Sequence, residues 1–243
     1  MVENVSIDVQ IWSDIACPWC YIGKRRFEKA LADFPQQDEV NVTWRSYQLD
    51  PSLPEHDHRS EIDYLVEMKG IARPQVEQML QHVKGNAAGE GLEYDFDGLV
   101  VANSRKAHRL LQAAKAADRA DGDHRTDTLK EALLAAHFID GEDISDVEVL
   151  TRLGAEAGLD QSEARAAVDS AELDRAVEDD ITAARQIGVQ GVPFFVFENK
   201  YGVSGAQPAE VFAQVLQTVA SEQTPSLITI EGEAGDACGP DGC

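Results

Sequence analysis

Cys17 and Cys20 stand two residues apart, with Pro18 and Trp19 between them, and this spacing is the pattern in the chain best suited to chemistry. Two thiols at this spacing can close a small disulfide, and a helix N-terminus can stabilise the first of them as a thiolate. The spacing predicts redox chemistry, with Cys17 as the nucleophile and Cys20 as the resolving thiol. The same two cysteines would also serve as half of a zinc site, which needs two further ligands.

A second cysteine pair, Cys238 and Cys243, ends the chain in a segment rich in Gly, Glu and Asp. Three interpretations stay open: a relay that exchanges electrons with the first pair, a site for a soft metal, or an incidental tail disulfide. A flexible tether raises effective concentration, although nothing in the sequence fixes where the tail would dock. We predict that residues 223–243 form a flexible tail.

The elements around the first pair follow from hydrophobic periodicity. Residues 5–12 alternate apolar and polar side chains, as a strand requires. Pro18 suits a first helical position, and apolar residues then recur every three or four positions to about residue 34. Residues 40–47 alternate again, which completes a predicted βαβ unit with the cysteine pair at its strand-to-helix junction.

The middle of the chain is predicted to be helical, and strand signals return near its end. Apolar residues at helical spacing predict helices near residues 62–69, 74–84, 104–120, 126–138, 146–157, 162–168 and 172–187. β-formers at 194–197 and 201–204 flank a short turn and predict a hairpin, and Pro208 opens a last helix. The order βαβ, helices, ββα predicts an α/β fold with one mixed sheet assembled from both ends of the chain.

The composition excludes several partners. Asp and Glu number 44 against 21 Lys and Arg, for a formal net charge of −23. Such a surface repels phosphate backbones and anionic lipid, so we expect neither nucleic acid nor membrane as a partner. The first residues show no secretory signal, from which we expect a cytoplasmic protein, where cysteine pairs are more often catalytic or metal-binding than structural. Neither a phosphate loop nor a dinucleotide fingerprint appears, so we expect no cofactor.

Several separated motifs carry a family resemblance. Residues 13–26 (SDIACPWCYIGKRR), 107–110 (AHRL), 188–197 (GVQGVPFFVF) and 204–208 (SGAQP) are similar to those of FrnE-type disulfide oxidoreductases, in the DsbA branch of the thioredoxin superfamily. The resemblance covers roughly residues 5–220. It implies a thioredoxin-like domain of residues 1–53 and 188–222, interrupted by a helical insertion domain of residues 54–187.

The resemblance also implies roles for individual residues. Pro193 would be the cis-proline that packs beside the cysteine pair in this superfamily, and Val192 would present backbone groups to an extended substrate. Pro18 and Trp19 would tune the redox poise. Strong oxidants of the family carry a His between the cysteines, and its absence here predicts a less oxidising couple.

The expected function is therefore a cytoplasmic thiol-disulfide oxidoreductase that reduces or isomerises disulfides of proteins or peptides. Thioredoxin or a small thiol would be its reductant. Two alternatives remain: a glutathione-linked transferase or isomerase of the kappa type, and a metal-binding or redox-sensing dithiol protein. Two cysteines at positions 17 and 20 argue against the first, because those enzymes typically have Ser at the nucleophile position.

Other residues near the motif are interpreted more plainly. Asp14 is expected to be a turn residue that could shape the electrostatics of the pair, and Trp12 a packed strand aromatic. His108 is expected to be a helix histidine without a metal partner. Lys24, Arg25 and Arg26, on the first helix, are expected to be mostly solvated.

Overall fold

The first strand, β1, lies inside a four-stranded sheet, and the cysteine pair follows directly after it. The computed structural model describes residues 6–55 and 57–223, in the following order. The elements are β1 (Ile7–Ser13), α1 (Pro18–Ala32), β2 (Val40–Ser46), α2 (Glu61–Lys69), α3 (Arg73–Gly89), α4 (Arg105–Asp121), α5 (Arg125–Phe138), α6 (Val147–Glu156), α7 (Gln161–Val168), α8 (Ala171–Gln186), β3 (Phe194–Phe197), β4 (Tyr201–Ser204) and α9 (Ala209–Gln223).

The sheet has the strand order β2-β1-β3-β4. β1 pairs in parallel with β2 and antiparallel with β3, and β3 pairs antiparallel with β4. β3 and β4 meet at Glu198 and Asn199, both with φ of 52°, the left-handed conformation that tight hairpins require. The predicted α/β class, the mixed sheet built from both ends of the chain and the helical insertion between β2 and β3 are all confirmed.

Helices cover both faces of this sheet. On one face, Ile7, Val9 and Ile11 of β1 pack with Phe27 of α1 and Phe212 of α9 in a core with the aromatic residues of β3. On the other face, Trp12 packs against α8, where its indole Nε1 donates to the carbonyl of Asp180 at 2.8 Å. Since the last three residues of β1, Ile11, Trp12 and Ser13, are all buried, packing on both faces fixes the end of the strand and the loop that follows it.

The seven helices between β2 and β3 form a second core. Helices α4 to α7 bury a cluster of alanines and leucines. The small residues allow these helices to approach closely: at Gly154 of α6, an added Cβ would lie 2.9 Å from the Cβ of Ala164 of α7. Another cluster joins α2, α3 and α5 to Tyr21 and Ile22 of α1. The inserted helices therefore contact the helix that carries the cysteines. Among the described residues, no helix is both long and apolar enough to span a membrane.

Candidate active site

The two cysteines occupy the start of α1. Cys17 is the N-cap, with an extended backbone, and Pro18 takes the first helical position, where its missing N–H leaves no hydrogen bond unmade. The backbone N–H of Cys20 donates to the carbonyl of Cys17 at 3.0 Å, which closes the first turn. Both thiols are reduced and buried, with exposed fractions of 3% and 1%. The predicted strand-to-helix junction is therefore where the pair lies.

The loop before β3 faces Cys17 from the far end of the sequence. The Cys17 thiol donates to the carbonyl of Val192 at 3.5 Å, and the Val192–Pro193 peptide bond is cis, as the resemblance implies. The carbonyl of Pro193 accepts from the N–H of Gly205 at 2.8 Å. Gly23 lies under the proline ring, where an added Cβ would come within 2.8 Å of Pro193 Cγ. A glycine is thus needed at position 23 for α1 to pack against this loop.

A buried acid lies beside the dithiol, the pair of Cys17 and Cys20. Asp14 is 1% exposed, its Oδ1 lies 3.1 Å from Nε2 of His108, and its Oδ2 accepts from the N–H of Leu49 at 2.7 Å. Burial raises the pKa of Asp14, but its hydrogen bonds with His108, Ser104 and the N–H of Leu49 act in the opposite direction, so the pKa is lowered and the carboxylate is ionised at neutral pH.

His108 is the neutral partner in this contact. Burial lowers its pKa and the hydrogen bond and charge of Asp14 only partly oppose that effect. Pairing with a carboxylate normally keeps a histidine charged, and here the complete burial of the ring prevails. Since Nδ1 has no partner in the described part of the chain, Nε2 carries the proton and donates to Asp14.

The two thiols titrate as a pair. The hydrogen bond with Cys20 and burial raise the pKa of Cys17, and the charge of Asp14 acts in the same direction. Burial also raises the pKa of Cys20, but the hydrogen bond with Cys17 and the charge of Lys130 reverse this, so the pKa of Cys20 is lowered. Interacting thiols lose their protons in two steps that belong to the pair. The backbone N–H of Cys20, at the helix N-terminus, acts against these effects and lowers the pKa of Cys17, in the direction that the sequence predicts.

An apolar cavity of about 270 Å³ opens beside Cys17. Apolar side chains of the loops after β1 and β2 and of the inserted helices α2 and α3 form most of its wall, among them Leu49, Leu53, Leu65, Met68, Met79, Leu80 and Val83. Asp14, Trp19 and Val192 also line it, so the cavity adjoins the thiol directly. Its polar groups include Glu61, whose pKa burial raises to about 7 against the effect of Lys69, and His137, whose pKa burial lowers to about 4.

The two residues between the cysteines are held by the insertion. The carbonyl of Pro18 accepts from the hydroxyl of Tyr94 at 2.7 Å. The ring of Trp19 lies 6.0 Å from that of His82 on α3, at a tilted angle. Tyr94 is 1% exposed and stacks with Tyr21 of α1, so the active-site turn and the inserted segment form one packed unit.

The prediction that the bases of α1 are solvated is wrong. Lys24 has only 2% of its side chain exposed and forms ion pairs with Glu28, Asp127 and Glu131. Arg25 also binds Glu131 and Glu28. The physical reason is that α5 packs against this face of α1 and its carboxylates neutralise the buried charges.

The structure changes the interpretation of Asp14 and brings Lys130 to attention as a buried residue of α5. Asp14 is more than a turn residue, and its pairing with His108, 94 positions away, is a contact that no local pattern shows. Lys130 was not singled out from the sequence at all. Cys238 and Cys243 lie outside the described residues. Among residues 6–55 and 57–223, no cluster of three or more His, Cys, Asp or Glu could hold a metal ion.

Comparison with known proteins gives a consistent result. Residues 8–217 match the family model of the DSBA-like thioredoxin domain. The crystal structure of a probable DsbA oxidoreductase, SCO1869 from Streptomyces coelicolor, is 43% identical with a TM-score of 0.82, and the match covers 98% of each chain.

More distant similarities also extend over most of the chain. The cytosolic disulfide reductase DsbM from Pseudomonas aeruginosa is 20% identical with a TM-score of 0.59, over 88% of this chain and 99% of that one. An uncharacterised Bacillus subtilis protein, YwbO, is 22% identical over 214 residues, which cover 87% of this chain and 96% of YwbO.

Proposed function

Since the chain belongs to the DsbA-like thioredoxin family of thiol-disulfide oxidoreductases, we propose that it reduces or isomerises disulfides of proteins or peptides through Cys17 and Cys20. One observation carries the proposal. The Cys17 thiol lies at the wall of an open apolar cavity and 3.5 Å from the carbonyl of Val192, with Cys20 one helical turn behind it. A substrate disulfide that enters from the cavity meets Cys17 first, and Cys20 is positioned to complete the exchange.

The reaction follows from this order. Once the proton shared by the two thiols lies on Cys20, the Cys17 thiolate attacks one sulfur of the substrate disulfide, a Cys17–substrate disulfide forms, and the other substrate sulfur leaves as a thiolate. Cys20 then loses its proton and attacks the Cys17 sulfur, which forms the Cys17–Cys20 disulfide and releases the second substrate sulfur as a thiolate. In isomerisation, a thiolate of the substrate attacks the mixed disulfide instead and the dithiol is regenerated without an external reductant.

Pro193 and Val192 support substrate binding in this proposal. When Cys17 loses its proton, the carbonyl of Val192 loses its hydrogen-bond donor, and an extended peptide laid along residues 191–193 would supply a new one. The apolar cavity would then receive a neighbouring apolar side chain. We propose that residues 54–187 act as an insertion domain that builds this cavity over a thioredoxin-like unit of residues 1–53 and 188–222.

The proposal also covers the redox potential of the Cys17–Cys20 pair and the cell compartment in which the protein acts. Pro18 and Trp19 supply no charge between the cysteines, which supports a couple less oxidising than family members with a His there. A FrnE-like, cytoplasmic reductase or isomerase is in line with the structural similarity to a Pseudomonas protein described as a cytosolic disulfide reductase. Thioredoxin or a small thiol would return the electrons.

Single-cysteine variants test the assignment of the two roles. With a peptide disulfide as substrate, Cys20→Ser should accumulate the Cys17 mixed disulfide, because nothing resolves it. Cys17→Ser should neither trap the peptide nor reduce insulin nor refold scrambled ribonuclease. Trapping by Cys17→Ser, or full activity of that variant, would overturn the assignment.

The same samples separate the proposal from its alternatives. A metal-binding dithiol protein would bind zinc tightly in an equilibrium titration of the reduced chain and would not turn over insulin. A glutathione-linked transferase would conjugate an electrophile to glutathione. We expect insulin reduction or ribonuclease refolding, abolished by Cys17→Ser, without either of these activities.

A further inference from the structure

The apolar cavity beside Cys17 has exposed apolar side chains in its wall. Leu49 and Met68 line it and are 50% and 48% exposed; among the described residues, the one other large hydrophobic side chain with such exposure is Ile187. Exposed apolar groups that gather at one opening mark a binding site for an apolar group. The volume of about 270 Å³ is just below the range of about 300–1,000 Å³ that small-molecule sites occupy, and it suits a single side chain of a peptide.

The wall of this cavity is acidic as well as apolar. Among the described residues that line it, Asp14, Asp50 and Glu61 are acidic and Lys69 is basic. Two of the acids are already bound by neighbouring groups of the chain. Asp14 accepts from a backbone N–H at 2.7 Å, and Asp50 accepts from the hydroxyl of Tyr64 at 3.1 Å. The third acid, Glu61, is placed differently.

Glu61 lies far from the one basic residue of the wall. It is the first residue of α2 and Lys69 is the last, so the two are separated by about 12 Å along the helix axis. Lys69 is exposed, and solvent screens its charge at this distance. Burial raises the pKa of Glu61 to about 7, the charge of Lys69 opposes this, and no hydrogen bond from a described residue contributes. The carboxylate of Glu61 is therefore the acid of this wall that a ligand could bind.

The occupant of the cavity must match both an apolar wall and this carboxylate. A wholly apolar side chain would displace the water around Glu61 and leave the carboxylate either charged without a partner or protonated, and both cost free energy above neutral pH. Lysine and arginine bury an aliphatic stem along apolar surface and place their charge at the far end. Such a side chain fills the apolar part of the cavity and pairs with Glu61 at the same time.

We propose that this cavity binds a lysine or arginine side chain adjacent to the cysteine of the substrate disulfide, with the cationic end at Glu61, so that the enzyme prefers disulfides of basic peptide segments. The inference rests on the proposed redox function. Because Cys17 lines the same cavity, a side chain bound there holds the neighbouring substrate disulfide next to the attacking thiol. Glu61 binds the substrate and takes no part in the exchange of disulfides. The net charge of −23 would also attract such segments before they bind.

Peptide disulfides that differ in one residue test this preference. Each carries lysine, norleucine or glutamate beside its cysteine, in one series before the cysteine and in a second series after it. Norleucine keeps the aliphatic stem without the ammonium. The rate of mixed-disulfide formation is measured by stopped flow in Cys20→Ser, the parent protein, and in the same protein with Glu61→Gln added.

The matched control is Glu67→Gln in the same parent. Glu67 is an exposed acid of the same helix, it forms a salt bridge with Arg59, and it is outside the wall of the cavity. Its replacement changes the net charge by the same amount as Glu61→Gln. A general effect of charge would therefore be equal in the two variants, whereas an effect of the cavity is confined to Glu61→Gln.

We expect the lysine peptide to react about tenfold faster than the norleucine peptide at about pH 8 in at least one series, which is the scale of a hydrogen bond to a charged group. The glutamate peptide should react more slowly than either. Glu61→Gln should abolish the advantage of lysine over norleucine, and Glu67→Gln should retain it. Equal rates for lysine and norleucine in both series, or a full advantage of lysine in Glu61→Gln, would overturn the proposal.

The pH dependence of the parent protein is a second test, which needs no variant of Glu61. Because this carboxylate ionises as the pH rises through about 7, the ratio of the lysine rate to the norleucine rate should increase from about pH 5.5 to about pH 8.5. Titration of Cys17 changes both rates alike and cancels in the ratio. A ratio that stays constant over this interval would contradict pairing with Glu61.

The remaining groups of the wall do not produce such a change. The titratable residues that line the cavity besides Cys17 and Glu61 are Asp14, Asp50, Tyr64, Lys69 and His137. The pKa values of the two aspartates are lowered, burial lowers that of His137 to about 4, and burial raises that of Tyr64. These four groups therefore keep their charge over the interval, and Lys69 is the same for both peptides.

The outcomes separate this inference from the proposed function. Mixed disulfides that form at equal rates with all three peptides would refute the preference for a cation and leave the redox function standing. If no peptide forms a mixed disulfide with Cys17, the redox function fails. Equilibrium binding of the same peptides with serine in place of cysteine then decides the inference: tighter binding of the lysine peptide than of the norleucine peptide supports it, and equal binding refutes it.

Discussion

Replacing Gly23 with alanine should separate the packing of the active site from the stability of its helix. Gly23 is buried inside α1, and an added Cβ would lie 2.8 Å from Pro193 Cγ, which is about 0.6 Å short of ordinary contact at 3.4 Å. The Cγ atom belongs to a proline ring and cannot rotate away. Either α1 or the loop of Val192 and Pro193 must therefore move.

The expected change in the free energy of unfolding is the difference between two opposing effects. Alanine in place of glycine inside a helix contributes about 1 kcal/mol of stability. Overpacking of a buried site costs about 1–3 kcal/mol. We therefore expect Gly23→Ala to leave the free energy of unfolding between unchanged and about 2 kcal/mol lower. Because Cys17 faces Val192 across this contact, the displacement should also slow the attack of Cys17 on a peptide disulfide. A misplacement of 1 Å can lower a rate about a hundredfold, so a shift of about 0.6 Å should lower it roughly tenfold.

The matched control is Gly85→Ala in α3. Gly85 is also inside a helix, but an added Cβ there meets no atom within 4 Å among the described residues. This variant should gain up to about 1 kcal/mol and react at the wild-type rate. Urea unfolding and stopped-flow formation of the mixed disulfide in a Cys20→Ser background measure the two effects. If Gly23→Ala is as stable as Gly85→Ala and reacts equally fast, the close approach of α1 to Pro193 is refuted.

Three further predictions concern other parts of the chain. Asp180→Ala should lower the free energy of unfolding by about 3–5 kcal/mol in urea, because it removes a buried carboxylate and leaves the partly buried ammonium of Lys115 without it; a loss below about 1 kcal/mol would contradict this. Burial raises the pKa of Glu61 to about 7, so its contribution to stability is full below about pH 4.5 and is lost as the pH rises through 7. Glu61→Gln should therefore be more stable than the wild type at pH 8 but not at pH 4, and equal unfolding free energies at pH 8 would refute it. Replacing Cys238 and Cys243 together by serine should slow turnover or change the coupling to a reductant if the tail is a relay; unchanged kinetics with no trapped disulfide between Cys17 and the tail would exclude that role.

The strands and the first helix could be predicted from local pattern alone. Alternation marks β1 because its inner residues pack on one core, and Pro18 marks the first turn of α1. The predicted end of α1 near residue 34 is two residues beyond its last helical residue, Ala32, because Asp33 caps the helix in a near-helical conformation that periodicity does not distinguish.

The position of Lys130 could not be predicted from periodicity. On an amphipathic helix, a lysine is expected on the polar side, but α5 is buried on several sides, with Leu129, Leu133 and Leu134 all fully buried. Such a helix has no single solvent face from which the environment of a charged residue could be inferred. The same limit explains Lys24 of α1, whose burial depends on carboxylates contributed by α5.

The charges around the dithiol come from outside the CPWC motif, and this changes what the motif can predict about redox poise. Asp14 raises the pKa of Cys17, and Lys130 lowers that of Cys20. The two charges are opposite and both are buried, so their effects on the thiolate partly cancel while Lys130 is protonated. A change of Pro18 or Trp19 alone would therefore leave both of these charges in place.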